Sequence, residues 1–271
     1  MSDANGQGIR RVRTRWERVE GKRDRDVLEW VARFRFVTAA ATAEQFGVDV
    51  VNARRRLKRM EQAKLLGVMR SGGTAPIFYV ASAGRQLLGL PWRAAPRGDL
   101  QRAHELAIVD QVTRFERHAA EGVRVLTERE CRRAEADGAG QFHVTVRGEG
   151  PRGLAERWPD IVLVDSQDRR VAVELEFSPK HTARLQRIVE GFLDSREYAQ
   201  VLYLVDSVPL ARRLTRLIDD GTARRSANAT NRMFDIRATD VRVLAWHDAD
   251  QAVTEAIDAE RARSRPRERA A

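Results

Sequence analysis

The sequence predicts an α/β chain in two modules: three short helices closed by a β-hairpin, then a mixed sheet flanked by helices. Three observations predict it. A basic helical pattern, NARRRLKRM over 52–60, stands between a shorter helical pattern and two strand patterns separated by Gly72-Gly73. Two further strand patterns, IVLV over 161–164 and VAVELEF over 171–177, flank the polar turn Asp165-Ser166-Gln167-Asp168. Helical apolar stripes and strand-like apolar runs then alternate towards the C-terminus, the order expected of helices laid over a sheet.

The first module is assigned to 22–95. From Arg25 to Phe34, the apolar residues Val27, Leu28, Trp30, Val31 and Phe34 recur at helical spacing. A second short helix is predicted over Thr38 to Phe46, with Thr38 as its N-cap and Gly47 as its breaker. Asp49 or its neighbour opens a third helix that runs through Met60. In it Ala53, Leu57 and Met60 share one face, and Asn52, Arg55, Arg56 and Arg59 share another. Leu65 to Arg70 and Ile77 to Val80 read as strands around the tip Ser71-Gly72-Gly73-Thr74. Ala83 to Leu90 closes the module with a turn or two of helix.

Three helices followed by a hairpin make a winged helix-turn-helix, in which the third helix enters the major groove and the hairpin serves as the wing. An arginine bridges two acceptors on guanine or contacts phosphate, and an asparagine pairs with adenine. The candidate contacts to double-stranded DNA are Asn52, Arg55, Arg56, Lys58 and Arg59 on the helix, with Arg70 and Thr74 on the hairpin. The same basic face also fits a solvated surface or a winged helix that pairs with protein.

Composition narrows the class. A formal charge of +10 favours an anionic partner. A single cysteine, Cys131, excludes an internal disulfide and a Cys-rich zinc module. No apolar run approaches the ~18 residues of a membrane span, and the N-terminus carries no secretory apolar stretch, so a cytoplasmic protein is expected. No Gly-rich loop leads into Lys and Ser or Thr, so ATP use is not indicated. Residues 1–21 read as a flexible basic arm and 256–271 as a flexible tail.

Pro91, Pro96 and Gly98 mark the boundary to a second module over 99–255. Asp99 caps a predicted helix that reaches His118, with a stripe from Leu100 to Phe115. Strands are predicted at Val123 to Leu126 and Phe142 to Val146. Glu135 to Gly140 and Gly148 to Gly153 read as loops, and the Glu-Arg mixture over 128–137 as solvated. Ile161 to Val164 is apolar throughout, as a central strand is. In the return strand Val171, Val173, Leu175 and Phe177 lie on one face, and Ala172, Glu174 and Glu176 on the other. A helix follows from about Pro179 to Ser195, with Ser178 as N-cap, Lys180 in its first turn and Leu185, Ile188, Val189 and Phe192 as its buried stripe. Val201 to Val205 is a strand, Leu210 to Ile218 a helix and Val241 to Ala245 a last strand. His143 reads as a strand-face residue rather than a metal ligand, and His181, beside Lys180, as a helix-terminal surface residue ahead of a phosphate contact. Arg224, Arg225, Arg232 and Arg237 form a basic approach to the last strand.

The chemistry centres on Asp160, Glu174 and Glu176. Carboxylate oxygens suit Mg²⁺ or Mn²⁺, and such an ion polarises a phosphodiester and activates water. Alternation puts Glu174 and Glu176 on one face of a strand. Whether Asp160 joins them depends on register, because a slip of one residue reverses the relation. Lys180 is the candidate that orients water or stabilises developing charge.

Pro159-Asp160, the later Glu174-Leu175-Glu176 and the α-β-β-β-α-β order resemble the PD-(D/E)XK restriction-endonuclease-like superfamily. That resemblance implies metal ligation by Asp160 and Glu174 and catalytic roles for Glu176 and Lys180. Glu176 stands where the superfamily carries lysine, and Lys180 is a relocated counterpart. Glu105 matches the superfamily's helical acidic residue loosely. Over about three quarters of its length the chain also resembles the replication-relaxation family of actinobacterial plasmids and mobile elements. The winged helix, His104-Glu105-Leu106, 126–130 (LTERE) and 158–180 carry that resemblance. It implies a DNA-binding protein acting in replication, relaxation or transfer, to which the carboxylate cluster would add metal-dependent DNA nicking, and a winged helix on palindromic sites implies a homodimer. The alternative is a non-catalytic transcriptional or replication-control regulator whose nuclease-like domain mediates assembly. A protein-interaction adaptor is a third reading.

Overall fold

The computed structural model describes residues 22–70, 74–90, 99–119, 122–148, 153–177, 181–229 and 240–245. The expectations for the arm 1–21, the hairpin tip 71–73, the boundary 91–98, Ser178-Pro179-Lys180 and the tail 256–271 lie outside the described residues. The chain is mixed α/β and divides into two compact units, 1–113 and 114–271.

In the first unit, helix α1 (Lys22–Ala32) leads to strand β1 (Val37–Thr38), α2 (Ala39–Phe46) and α3 (Val50–Gln62). Strands β2 (Leu66–Met69) and β3 (Ile77–Val80) and helix α4 (Ser82–Leu88) complete it. The helix ends are set by local chemistry. Thr38 Oγ1 accepts the Ala41 amide at 3.1 Å, and Gly47 ends α2 with φ of 59°. An L side chain rarely adopts that left-handed conformation, so glycine serves there at little cost. Asp49 caps α3 by accepting the Asn52 amide at 2.8 Å. The sheet runs β1-β3-β2, all antiparallel, with Val37 opposite Phe78 and Leu66 opposite Val80. Sequence patterning foresaw the hairpin but not β1, because two residues carry no alternation.

The core of this unit holds Val27, Leu28, Val31, Phe36, Leu57, Met60 and Ile77, each nearly or wholly removed from solvent. Each such side chain contributes roughly 1.5–3 kcal/mol of burial. Trp30 meets Phe34 and Phe46 edge-on, at 5.1 and 5.8 Å between centroids. Gly84 lies so close to the hairpin that a Cβ there would stand 2.3 Å from the Leu65 carbonyl oxygen.

Helix α5 (Asp99–His118) runs across the division between the units. The second unit then contains β4 (Arg124–Thr127), α6 (Glu128–Ala136), β5 (Val144–Arg147), β6 (Leu154–Arg157), β7 (Ile161–Val164) and β8 (Arg170–Glu176). It ends with α7 (Thr182–Asp194), β9 (Gln200–Val205), α8 (Val208–Ala229) and β10 (Asp240–Ala245). The main sheet runs β10-β9-β8-β7-β4. β10, β9 and β8 are parallel, while β7 and β4 join antiparallel. β5 and β6 form a separate antiparallel hairpin.

Four expectations change here. Residues 128–136 form a helix, not a solvated stretch running into a loop. Thr127 accepts the Glu130 amide, and Glu130 returns the bond to the Thr127 amide, so a full capping box starts it. Leu154–Arg157 is a strand, because its backbone pairs with β5 although its side chains alternate only weakly. Helix α7 begins at Thr182 with His181 at the N-cap position, later than the predicted start at Pro179. Helix α8 extends to Ala229, well beyond Ile218.

All seven residues of β8 are buried, as befits a strand paired on both edges with helices over the sheet. One sheet face, carrying Val162, Val164, Ala172, Val201, Tyr203 and Val205, shares its core with Leu185, Ile188 and Phe192 of α7 and Leu214 of α8. Phe192 meets Tyr198 and Tyr203, both at 6.2 Å between ring centroids. Cys131 is wholly buried beside that core, and burial pushes its thiol up, so it is not a nucleophile in waiting.

Candidate functional site

Two places gather the residues singled out by sequence, one in each unit. In the first unit it is the outward face of α3. Ala53, Leu57 and Met60 turn inward and are buried. The opposite face carries Val51, Arg54, Arg55 and Lys58, all exposed. Among the described residues none of those three cations has an acidic partner. Arg56 and Arg59 differ. Both turn to Asp24 of α1, at 2.9 and 3.4 Å, and Asp24 is itself buried. These two arginines therefore tie α3 to α1 as well as adding charge to its surface. The side-chain amide of Asn52 donates to Asp49, so its donor group is engaged in the cap. The Asn52 amide holds the Asp49 carboxyl below the usual carboxylate range, so the cap is ionised at neutral pH.

On the neighbouring hairpin, Arg70 lies 3.3 Å from Glu61 of α3. Thr74 is exposed at the end of the described part of the tip. Sequence reasoning named Asn52, Arg55, Arg56, Lys58, Arg59, Arg70 and Thr74. It missed Arg54 and Val51, whose exposure follows from the 100° step per residue once Ala53 is placed inside.

In the second unit, register brings Asp160, Glu174 and Glu176 to one side of the sheet. Ile161 pairs with Val173, so Asp160, one step before the strand, falls opposite Glu174. Glu176 follows on the same face. All three are buried. Asp160 and Glu174 already serve the fold. Leu175 lies beyond the last paired residue of β7, and its amide finds Asp160 Oδ2 at 2.9 Å instead of a backbone carbonyl. Arg157, at the end of β6, places Nη2 2.5 Å from Glu174 Oε2. Burial works against the arginine's charge, but Glu174 and Asp160 outweigh it and hold Arg157 more firmly protonated than a free arginine.

Tyr203 faces the same cluster from β9, directly beside Glu174 in the parallel register. Its hydroxyl has no hydrogen-bond partner among the described residues. Burial, and next the charge of Glu174, push its phenol well above its ordinary value, so it stays neutral.

The fit to a divalent ion is poor. A hard cation needs several oxygens converging on one point. Here a guanidinium already stands against Glu174, and one Asp160 oxygen holds a backbone amide. Among the described residues, no three Asp, Glu, His or Cys side chains form a group able to hold a metal ion. Lys180 lies outside the described residues. Glu105 belongs to the first unit, where it pairs with Arg35 at 2.7 Å. Arg157 and Tyr203 were both missed in the sequence. The signal available for Arg157 was its place just ahead of Trp158-Pro159-Asp160, on a strand too weakly patterned to be noticed.

A second polar cluster lies on α6. Glu135 accepts from the Phe142 amide at 3.1 Å, from His143 Nδ1 at 2.7 Å and from Trp158 Nε1. Burial alone would push its carboxyl up, but these three donors hold it below its ordinary value. Arg132 stacks on the Trp158 ring at 3.6 Å. His143 is thus a partner of the Glu135 carboxylate. The lining of a cavity of about 230 Å³ includes Arg147, Arg187, Glu190 and Arg224, of which Arg224 and Glu190 form an ion pair at 3.0 Å.

No helix among the described residues is long and apolar enough to cross a membrane. Comparison of the chain with known protein families, characterised proteins and solved structures yields no match.

Proposed function

We propose that the first unit is a winged helix-turn-helix that binds double-stranded DNA through α3, with the β2–β3 hairpin as its wing. The observation that carries this is the split of α3 into a buried Ala53, Leu57, Met60 face and an outward face bearing Arg54, Arg55 and Lys58 without acidic partners among the described residues. Exposed cations gathered on one helix face without acidic partners suit a phosphate backbone, which supplies their counter-charge. The chain's excess of ten positive charges supports the same reading.

Within this reading the protein is a homodimeric regulator of replication or transcription on a plasmid or other mobile element, and the second unit serves as an assembly platform. Phosphodiester nicking at Asp160, Glu174 and Glu176 is not part of the proposal, because Arg157 engages one Glu174 oxygen and the Leu175 amide one Asp160 oxygen, which leaves an incomplete ligand set for an ion.

Fluorescence anisotropy with duplex DNA over a range of salt tests it. Log affinity should fall linearly with log salt, with a slope of about −0.9 per phosphate neutralised. Replacing Arg54, Arg55 and Lys58 by Ala should weaken binding to every sequence and flatten the slope. A salt-independent signal, or a triple variant that binds as the parent does, overturns the proposal and favours the adaptor reading.

A further inference from the structure

Val50 and Val51 open α3 with side chains 42% and 57% exposed, two of the four large apolar residues so exposed among the described residues. Neither helix formation nor the core explains them. Valine is a weaker helix former than alanine, leucine or lysine. The inward positions of α3 are already filled by Ala53, Leu57 and Met60. Val51 stands at the middle of the outward face, one turn ahead of Arg54 and Arg55, and Lys58 follows Arg55 by three residues.

We infer that Val51, flanked by Val50, reads the 5-methyl group of thymine in the major groove. The inference rests on the DNA-binding reading of α3 and adds the chemistry of its specificity. The first turn of a recognition helix is the part that reaches base edges. Of the groups those edges offer in the major groove, the thymine methyl is the apolar one. An exposed valine there has nothing to hydrogen-bond with and gains only by covering an apolar group from water. Asn52, the polar residue of the same turn, is drawn back onto Asp49 by its side-chain amide. The side chain left projecting at the middle of that turn is therefore hydrocarbon, with Arg54 and Arg55 placed behind it for the backbone phosphates.

The test begins with selection of a preferred duplex from a random library by the full-length protein. Each thymine in that duplex is then replaced singly by deoxyuridine, which removes only the methyl group, and affinity is measured by anisotropy. One or two positions should lose about fourfold in affinity, the value expected for one methyl-sized group returned to water. Val51→Ala should bind the thymine and deoxyuridine duplexes alike, and the helix should remain intact because alanine favours it. Duplex binding that no deoxyuridine substitution weakens overturns the inference and leaves the DNA-binding reading standing. A loss that persists undiminished in both Val50→Ala and Val51→Ala overturns it equally. Failure to select or bind any duplex overturns the DNA-binding reading itself, and this inference with it.

Discussion

Replacing Arg157 by Met tests the internal ion pair of the second unit. The substitution keeps much of the aliphatic stem but removes the guanidinium that stands 2.5 Å from Glu174. The carboxylate that loses this charge is only 2% exposed, so water cannot take over its solvation without the hairpin moving. Unit charges about 4 Å apart at an effective dielectric constant of about 20 attract by about 4 kcal/mol. Breaking a buried pair costs about 3–5 kcal/mol. Arg157 itself is 23% exposed, which places this pair at the lower end, near 3 kcal/mol. Hydrogen exchange read by mass spectrometry on peptides from β8 and β9 reports the loss locally. At about 1.4 kcal/mol per decade, exchange should accelerate roughly 100- to 200-fold. The double variant Arg157→Met/Glu174→Met should recover most of the protection, because an apolar pair needs no counter-charge. Acceleration of less than threefold in the single variant, or a double variant worse than the single, would refute the view that Arg157 is the cluster's resident cation.

Three further outcomes are expected. Thr127→Ala removes the side-chain half of the capping box of α6, leaving the backbone amide to Glu130, and should lower stability by about 1 kcal/mol, read as a shift in urea midpoint, with Thr127→Ser close to the parent. Gly84→Ala drives a Cβ to 2.3 Å from the Leu65 carbonyl oxygen, and that backbone cannot swing aside as a side chain does. A destabilisation of roughly 1–3 kcal/mol is expected in the first unit, seen as earlier thermal loss of its circular dichroism. Glu135 carries the pH dependence of the α6–β5 corner. Its carboxyl is lowered in the fold from an ordinary value of 4.5. Its contribution is therefore complete above that value and disappears as pH falls through the lowered folded value. Exchange protection around Phe142 should fall with acidification in the parent, and that acid-side loss should be missing in Glu135→Gln.

Much of the secondary structure was legible because its causes are local. The Val27 to Val31 spacing, the Thr38 cap, the Gly47 stop and the Ala53-Leu57-Met60 stripe each depend on residues within a few positions of one another, and the elements lie at those signals, with α1 starting at Lys22 and ending at Ala32 rather than running from Arg25 to Phe34. Helix α6 carries a local signal too, since Thr127 and Glu130 stand at capping-box spacing, but the charge over 128–137 fits a solvated stretch equally well. Strands β1 and β6 carry none. Their reason for existing is the partner strand across from them, Phe78 for β1 and β5 for β6, and no local pattern encodes a partner.

The candidate site divides along the same line. Sequence alone determined that α3 has a basic outward face, and that Glu174 and Glu176 share a side of their strand, because helix and strand periods are properties of the backbone. Only the tertiary structure decided which of those charges are already answered. Asp24 reaches Arg56 and Arg59 from another helix, and β6 carries Arg157 to Glu174 across 17 residues of chain. Such pairings depend on how distant segments are brought together and aligned, and a charge on a sequence gives no sign of the opposite charge that folding will set against it.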